Sequence, residues 1–281
     1  MIRDITIGQY YPVDSAVHRL DPRVKLAATF LFIIGIFCVD NFLGFGLAIL
    51  LLALVVKKSR IPYSYLLQGL KAIFILLIFS VVMNLLLNRQ GQPLVSFWII
   101  TITDQGIYTA AFLGLRLILL VLGSSVMTLT TTPLELTDGI EKAMRPLKKI
   151  RVPVHEIAMM MSIALRFIPI LLEETDKIMK AQQARGADFE SGNLLQRAKS
   201  MVPILVPLFI SAFRRADDLA TAMEARCYRG DVGRTRMKEM IYSKEDKIAY
   251  GIVFLGLALL IASRFVPSLP EILALLSGGA L

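Results

Sequence analysis

The 281-residue chain has little of what soluble domains, disulfide scaffolds and metal sites require. Only 19% of its residues are charged, against 56% that are hydrophobic, and the mean hydropathy is +0.64. This composition argues against a soluble globular protein and favours an integral membrane protein. The two cysteines, Cys38 and Cys227, form neither a disulfide framework nor a metal-ligand spacing, so we expect free thiols. His18 and His155 are the only histidines, and neither has a second ligand at helical spacing, which predicts no metal site.

Motifs for nucleotide hydrolysis and for common membrane enzymes are also missing. The chain contains no GxxxxGK(S/T) phosphate loop, no HExxH and no GxSxG. We therefore expect no catalytic activity and no cofactor in this chain. The net charge of +9 does not indicate nucleic-acid binding, because the basic residues collect near apolar segments and do not interleave with aromatic residues on a polar module. The segment before Leu26 is polar and has no apolar core followed by a cleavage site, so we expect no cleavable signal peptide.

Five hydrophobic segments predict an all-α polytopic membrane protein with about five transmembrane helices. They cover residues 26–39, 42–56, 70–87, 106–130 and 248–263. Asp21 and Pro22 supply a helix cap and a first-turn proline for the first segment. The first two segments are each shorter than the roughly 20 residues that a crossing needs, so we expect them to form a helical hairpin partly buried in protein.

Basic residues at the ends of these segments predict the topology. Arg23 and Lys25 precede the hairpin, and Lys57, Lys58 and Arg60 follow it. Because positive charge concentrates on the cytoplasmic side, both ends of the hairpin are expected there. The resulting topology has a cytoplasmic N-terminus, an external loop over residues 88–105 between the third and fourth segments, and an external C-terminus.

A sharp change in charge divides the chain into three predicted regions. Residues 134–247 contain 20 Lys or Arg and 16 Asp or Glu, whereas residues 26–130 contain six and two. We therefore predict a transmembrane bundle of four spans over 1–130 and a cytoplasmic or interfacial coupling region over 131–247. Residues 248–281 would form the final span and a tail, with the chain embedded in the lipid bilayer.

Arg116 lies near the middle of the fourth predicted span, where a charge costs about 2.5–3.5 kcal/mol. Two interpretations are open. Arg116 either forms a substrate or ion site, or it faces the bundle and is held by backbone carbonyls or a polar partner such as Asn84.

Two long amphipathic helices are predicted in the charged region, after a shorter one over residues 134–149. Their apolar residues recur at helical period over 157–178 and 195–219. One constant offset along the chain aligns the two helices: Asp176 with Asp217, Ile178 with Leu219, Ala181 with Ala222, Ala184 with Ala225, and Arg185 with Arg226. This internal repeat places an arginine after alanine at the end of both helices, and Gly186 is a helix-stop signal for the first. In the second helix Cys227 stands where glycine would, and Gly230 is a later candidate stop.

The sequence "ARG" at 184–186, "ARC" at 225–227 and "HRLDPRVKL" at 18–26 together resemble a known family. They are similar to the transmembrane T component of energy-coupling factor (ECF) ABC transporters, the EcfT/CbiQ type. The resemblance covers essentially the whole chain and implies a subunit of the prokaryotic cell membrane. Cys227 departs from the family's usual glycine.

The resemblance implies that the two motifs end coupling helices that dock onto two ABC-type ATPases, each arginine entering a groove of one ATPase. Carried over residue by residue, the first motif is Ala184, Arg185 and Gly186, and the second is Ala225, Arg226 and Cys227. ATP would be bound only by those partners. A separate small membrane protein, the substrate-capture (S) component, would bind a vitamin or a transition-metal ion.

The coupling subunit is weighed against two alternatives. One is a self-contained secondary transporter with Arg116 and Asn84 at its site, and the other is a membrane anchor for an unrelated complex. Inverted repeats of the spans would favour the secondary transporter, but the only repeat found lies in the charged region. The methionines Met159, Met160 and Met161 are either adaptable core or a deformable docking surface for the captor.

Overall fold

A computed structural model describes residues 9–88, 93–97, 100–189, 193–230 and 241–265. Within these residues the chain is helical apart from one short β-hairpin, which confirms the predicted all-α membrane class. The predicted C-terminal tail beyond residue 265 lies outside the described residues.

The described helices follow the chain in this order: α1 (Pro22–Phe37), α2 (Phe42–Ser59), α3 (Tyr63–Leu87), α4 (Asp104–Thr130), α5 (Pro133–Ala143), a 3₁₀ helix (Arg145–Ile150), α6 (Val154–Ala184), α7 (Leu194–Ala225) and α8 (Lys244–Ser263). Between α3 and α4, strands β1 (Pro93–Phe97) and β2 (Ile100–Thr103) pair antiparallel. The sequence predicts only an external loop in this segment, so the hairpin corrects that prediction.

Several helices begin where local sequence signals predict. The Asp21 carboxylate accepts a hydrogen bond from the backbone N–H of Arg23, and Pro22 is the first residue of α1. At α8, Ser243 and Asp246 form a capping box in which each side chain accepts from the other's backbone N–H. Such caps satisfy amide groups that have no partner inside the helix.

The number of candidate membrane spans agrees with the prediction, but the set differs. Of the described helices, α2, α4, α6 and α8 are long and apolar enough to cross a membrane. Helix α3 makes a fifth if its two parts, Tyr63–Lys71 and Ile73–Leu87, which are bent by 61°, count as one span. With 16 residues, α1 is shorter than a span, whereas α6 meets the criterion because most of its charged residues lie in its second half.

The chain divides into two compact units. The bundle unit takes its residues from Gln9–Gly139 and Met240–Leu281, and the coupling unit from Ile140–Glu239. The three predicted regions concern position relative to the membrane, which this division does not test, so they stay predictions.

The bundle unit has a hydrophobic core between α1, α2, α4 and α8. Fully buried side chains at its centre include Ile36, Phe45 and Leu260. The ring of Phe112 on α4 packs edge-on against Phe45 of α2, with ring centroids 5.0 Å apart. Large apolar side chains remain exposed on the outer faces of α2 and α3, as expected of helices that face lipid.

Candidate docking site at two helix ends

Helices α6 and α7 end in the same way, one residue before each motif arginine. Arg185 follows the last residue of α6 with φ −88° and ψ 6°, and Arg226 follows the last residue of α7 with φ −92° and ψ 12°. All six motif residues are exposed: Ala184, Arg185, Gly186, Ala225, Arg226 and Cys227. Both guanidinium groups are therefore accessible to solvent at a helix end.

The first helix end is closed by two backbone hydrogen bonds. The N–H of Ala187 donates to the carbonyl of Gln182 at 3.0 Å, and the N–H of Gly186 donates to the carbonyl of Gln183 at 2.9 Å. This pair of bonds is the Schellman motif, which requires a left-handed residue after the helix. Gly186 supplies it with φ +89°.

The second helix end repeats this pattern without glycine. The N–H of Tyr228 donates to the carbonyl of Met223 at 3.1 Å, and the N–H of Cys227 donates to the carbonyl of Glu224 at 2.9 Å. Cys227 takes the left-handed conformation with φ +54°, although a side chain there costs about 1–2 kcal/mol. Gly230 is not the helix stop, because α7 already ends at Ala225.

An ion pair joins the two helices at equivalent positions of the repeat. Arg215 of α7 donates from Nη2 to the Oε2 of Glu174 of α6 at 2.9 Å. Arg215 follows Glu174 by the same number of residues as Arg226 follows Arg185. Each side chain of the ion pair therefore lies the same number of residues before the motif arginine of its own helix. At a rise of about 1.5 Å per residue, each motif lies about 16 Å along its helix from this contact. The internal repeat aligns Glu174 with Arg215, two residues of opposite charge. This alignment is a signal for the ion pair that sequence reasoning missed.

The predicted apolar stripe of α7 lies exposed in the coupling unit. Val202, Leu205, Phe209 and Phe213 are between 47% and 68% exposed. On α6, Met160 and Met161 are exposed as well. The exposure of Met160 and Met161 does not fit the interpretation of a packed core.

Arg116 is held at the break between α1 and α2. Its Nη2 donates to the carbonyl oxygen of Val39 at 2.8 Å and to Oδ1 of Asp40 at 3.2 Å. Asn84, the predicted polar partner, instead accepts a hydrogen bond from the Thr109 hydroxyl at 3.2 Å. The structure thus supports the interpretation of Arg116 as a bundle-facing arginine, with Asp40 in place of Asn84.

The residues around Asp21 form a buried polar network in the bundle unit. The backbone N–H of Asp21 donates to Oδ1 of Asp246 at 2.8 Å. The Nζ of Lys25, which is only 5% exposed, donates to the carbonyls of His18 and Thr130, both at 2.8 Å. Burial, and then the charge of Lys25, lower the pKa of His18. Sequence reasoning could not find these partners, because they lie up to 225 residues apart in the chain.

In the part of the chain that the structure describes, neither histidine belongs to a cluster of metal ligands. The Nδ1 of His155 is 3.1 Å from Oε1 of Glu141, and the Nδ1 of His18 is 2.7 Å from the Ser15 hydroxyl. Among the described residues, no group of three or more His, Cys, Asp or Glu could hold a metal ion.

The apolar helices and the paired motifs define a multi-pass membrane protein with two equivalent exposed helix ends. The model of the CbiQ family, described as cobalt transport protein, matches residues 14–238. The energy-coupling factor transporter transmembrane protein EcfT of Clostridium kluyveri is 55% identical over 250 residues, 89% of this chain and 93% of that protein.

Further relatives bearing the same name agree. The protein of Ruminiclostridium cellulolyticum is 52% identical over 266 residues, 95% of this chain and 99% of its own length. That of Bacillus subtilis is 47% identical over 246 residues, 88% and 93% of the two chains. The chain belongs to the CbiQ/EcfT family, which confirms the resemblance drawn from the sequence. It is a transmembrane component of an energy-coupling factor transporter.

Proposed function

We propose that this chain couples ATP hydrolysis by two separate ABC-type ATPase subunits to a small substrate-capturing membrane subunit, for uptake of a vitamin or a transition-metal ion. The observation that carries the proposal is the pair of equivalent helix ends. Each presents an exposed arginine, and the two arginines lie equally far beyond the contact between Glu174 and Arg215.

The chemistry of arginine suits docking into a groove of another protein. Its planar guanidinium donates two parallel hydrogen bonds to one carboxylate and stays charged at any physiological pH. Alanine before Arg185 and Arg226 leaves little bulk beside the guanidinium groups. The macrodipole alone would favour any cation at a helix C-terminus, by about 0.3–1 kcal/mol, and does not account for two matched Ala-Arg ends.

The equal spacing supports two similar partners. Two ATPases related by an approximate twofold axis would need two docking points at comparable distances from that axis. Helices α6 and α7 meet at equivalent repeat positions, so their motif ends provide such a pair. ATP would be bound by the ATPases, since this chain lacks a phosphate loop.

Movement of the ATPases would then pass along α6 and α7. Pro169 lies inside α6, and Pro203 and Pro207 lie inside α7. Proline removes a backbone hydrogen bond and allows a helix to bend at that point. The segments between prolines and motifs would move as rigid arms.

The exposed apolar stripe of α7 supports a second kind of contact. Phe209, 61% exposed, and Phe213, 68% exposed, would pack against the capture subunit at the interface between membrane and cytoplasm. Met160 and Met161 would extend this surface, because unbranched methionine adapts to more than one partner.

The proposed topology places the N-terminus and the two motifs in the cytoplasm of a prokaryotic cell. The basic residues beside the hydrophobic segments support this orientation. An ATPase of the cytoplasm could reach the motifs only in this arrangement.

Reversal of both arginines tests the proposal. Arg185→Glu combined with Arg226→Glu should abolish ATP-dependent uptake and co-purification of the ATPases, since removing one partner of a buried interfacial charge pair costs about 2–5 kcal/mol. Single variants should retain part of both. Lys180→Glu with Arg214→Glu makes the same change in charge on exposed residues of the same helices and should have little effect. Unchanged recovery of ATPases with the motif double variant would contradict the proposal.

A further inference from the structure

A partly open apolar groove of about 600 Å³ lies in the bundle unit between α1, α2, α4 and α8. It has no role in the proposed coupling. Its volume falls within the roughly 300–1,000 Å³ of typical ligand sites.

Close helix contacts fix the deep part of this groove. A Cβ atom on Gly123 of α4 would lie 2.6 Å from the Phe32 ring of α1, and one on Gly256 of α8 would lie 3.3 Å from Leu51 of α2. Glycine therefore lets these helices touch at this depth. The helices cannot close further without displacing the side chains of Phe32 and Leu51.

Hydrogen bonds join α1 to α8 and to α4 at the other end of the groove, its mouth. The Asp21 N–H at the start of α1 is bound to Asp246 at the start of α8. The Lys25 ammonium binds the Thr130 carbonyl at the end of α4. These bonds hold α1, α4 and α8 at the mouth, and the glycine contacts hold α1 against α4 and α2 against α8 further in. The groove is therefore a built space.

The lining of the groove is amphipathic along its length. Its charged members, Lys25, Lys58 and Glu245, all lie at the first or last turns of their helices, whereas the interior is apolar. Lys25 is buried and bound to two carbonyls. Lys58 and Glu245 are exposed, so one cation and one anion are available at the same mouth.

We propose that this groove binds one membrane phospholipid whose headgroup carries both a phosphate and an ammonium group. One acyl chain would fill the apolar interior, where an empty apolar cavity would be unfavourable. The phosphate would pair with Lys58 and the headgroup ammonium with Glu245. A single phospholipid would thus match both the charged groups at the mouth of the groove and its apolar interior.

Two matched pairs of variants test the lipid site in the full-length chain. Lys58→Gln and Lys57→Gln remove the same charge from neighbouring exposed residues of α2, but only Lys58 lines the groove. Ala28→Phe fills the groove, whereas Ala53→Phe places the same ring on an exposed position outside it. Thermal unfolding of each purified variant checks that it is folded.

Native mass spectrometry of the delipidated chain, after addition of equal amounts of phosphatidylethanolamine or phosphatidylglycerol, gives the readout. We expect one phosphatidylethanolamine per wild-type chain and a weaker adduct with phosphatidylglycerol. Lys58→Gln should lower the phosphatidylethanolamine adduct about fivefold, the effect of one cation near a membrane surface. Ala28→Phe should remove it, and both control variants should retain it.

Several results would overturn this proposal. They are the absence of a phospholipid on the wild-type chain, equal adducts for Lys58→Gln and Lys57→Gln, or a normal adduct with a folded Ala28→Phe. If Ala28→Phe does not fold, the lysine pair decides. Binding by the isolated chain that is lost in the assembled transporter would assign the groove to a protein partner instead.

Discussion

The bundle unit and the coupling unit use charged residues in opposite ways. In the bundle unit, Asp21, Lys25 and Asp246 are between 3% and 8% exposed. The carboxylate of Asp21 pairs with Arg23 of the same helix, whereas the charged groups of Lys25 and Asp246 bind backbone groups at the ends of other helices. In the coupling unit, the arginines of both motifs stand exposed at helix ends. The difference indicates that these buried charges of the bundle maintain the fold, and the exposure of the motif arginines agrees with the docking role proposed for them.

The largest expected effect comes from removing a buried charge of the bundle unit. The carboxylate of Asp246 accepts hydrogen bonds from the backbone of Asp21 and from the backbone and hydroxyl of Ser243, at 2.7–2.8 Å. Asp246→Ala should lower the free energy of unfolding by about 3 kcal/mol, because it removes one half of the capping box and deprives the buried N–H of Asp21 of its acceptor.

Thermal unfolding of the purified chain in detergent measures this effect. Asp218→Ala, at an exposed position of α7, is the matched control and should change the free energy by less than about 0.5 kcal/mol. Equal losses for Asp246→Ala and Asp218→Ala would remove the distinction between the two units.

Local sequence patterns predict the helix ends that depend on neighbouring residues. They do not predict side-chain partners that are distant in the chain. The starts of α1 and α8 and the end of α6 follow from local caps at Asp21, Ser243 and Gly186. The Asp40 partner of Arg116 is 76 residues away in the chain, and no local pattern points to it.

Two errors have a physical explanation. Glycine is the usual residue after a helix end, which makes Gly230 a candidate stop for α7. The structure instead holds Cys227 in the left-handed conformation by the Schellman hydrogen bonds. The two strands at 93–97 and 100–103 are too short to carry a periodic signal, so the sequence predicts a loop there. The docking role of the two motifs stays a prediction.

An intermediate effect should distinguish the two helix ends from each other. Gly186→Ala should lower the free energy of unfolding by about 1 kcal/mol, since alanine resists the left-handed conformation. Cys227→Gly should raise it by a similar amount and retain transport. Nothing lies within 4 Å of a Cβ atom added at Gly186, so the expected loss comes from the backbone and not from a clash.

Thermal unfolding and hydrogen exchange of the last turns of α6 and α7 provide the measurements. Gly251→Ala is the control, because it lies within α8 and also has open space around its added Cβ. There alanine should be neutral or stabilising. A Gly186→Ala variant that behaves like Gly251→Ala would show that the left-handed conformation is not required.

The smallest effect is expected at the contact between α6 and α7. The side chains of Glu174 and Arg215 are 24% and 39% exposed, and partly exposed ion pairs contribute only about 0.2–1 kcal/mol. A double-mutant cycle with Glu174→Ala and Arg215→Ala should give a coupling energy in this range. The reversed pair, Glu174→Arg with Arg215→Glu, should regain most of this coupling energy, because the two positions are equivalent in the repeat.

A control cycle between Glu173→Ala and Arg215→Ala, with Glu173 exposed on the same turn of α6, should give no coupling energy. If transport fails in the Glu174→Ala variant while stability changes this little, the contact transmits movement between the arms and does more than hold the helices together.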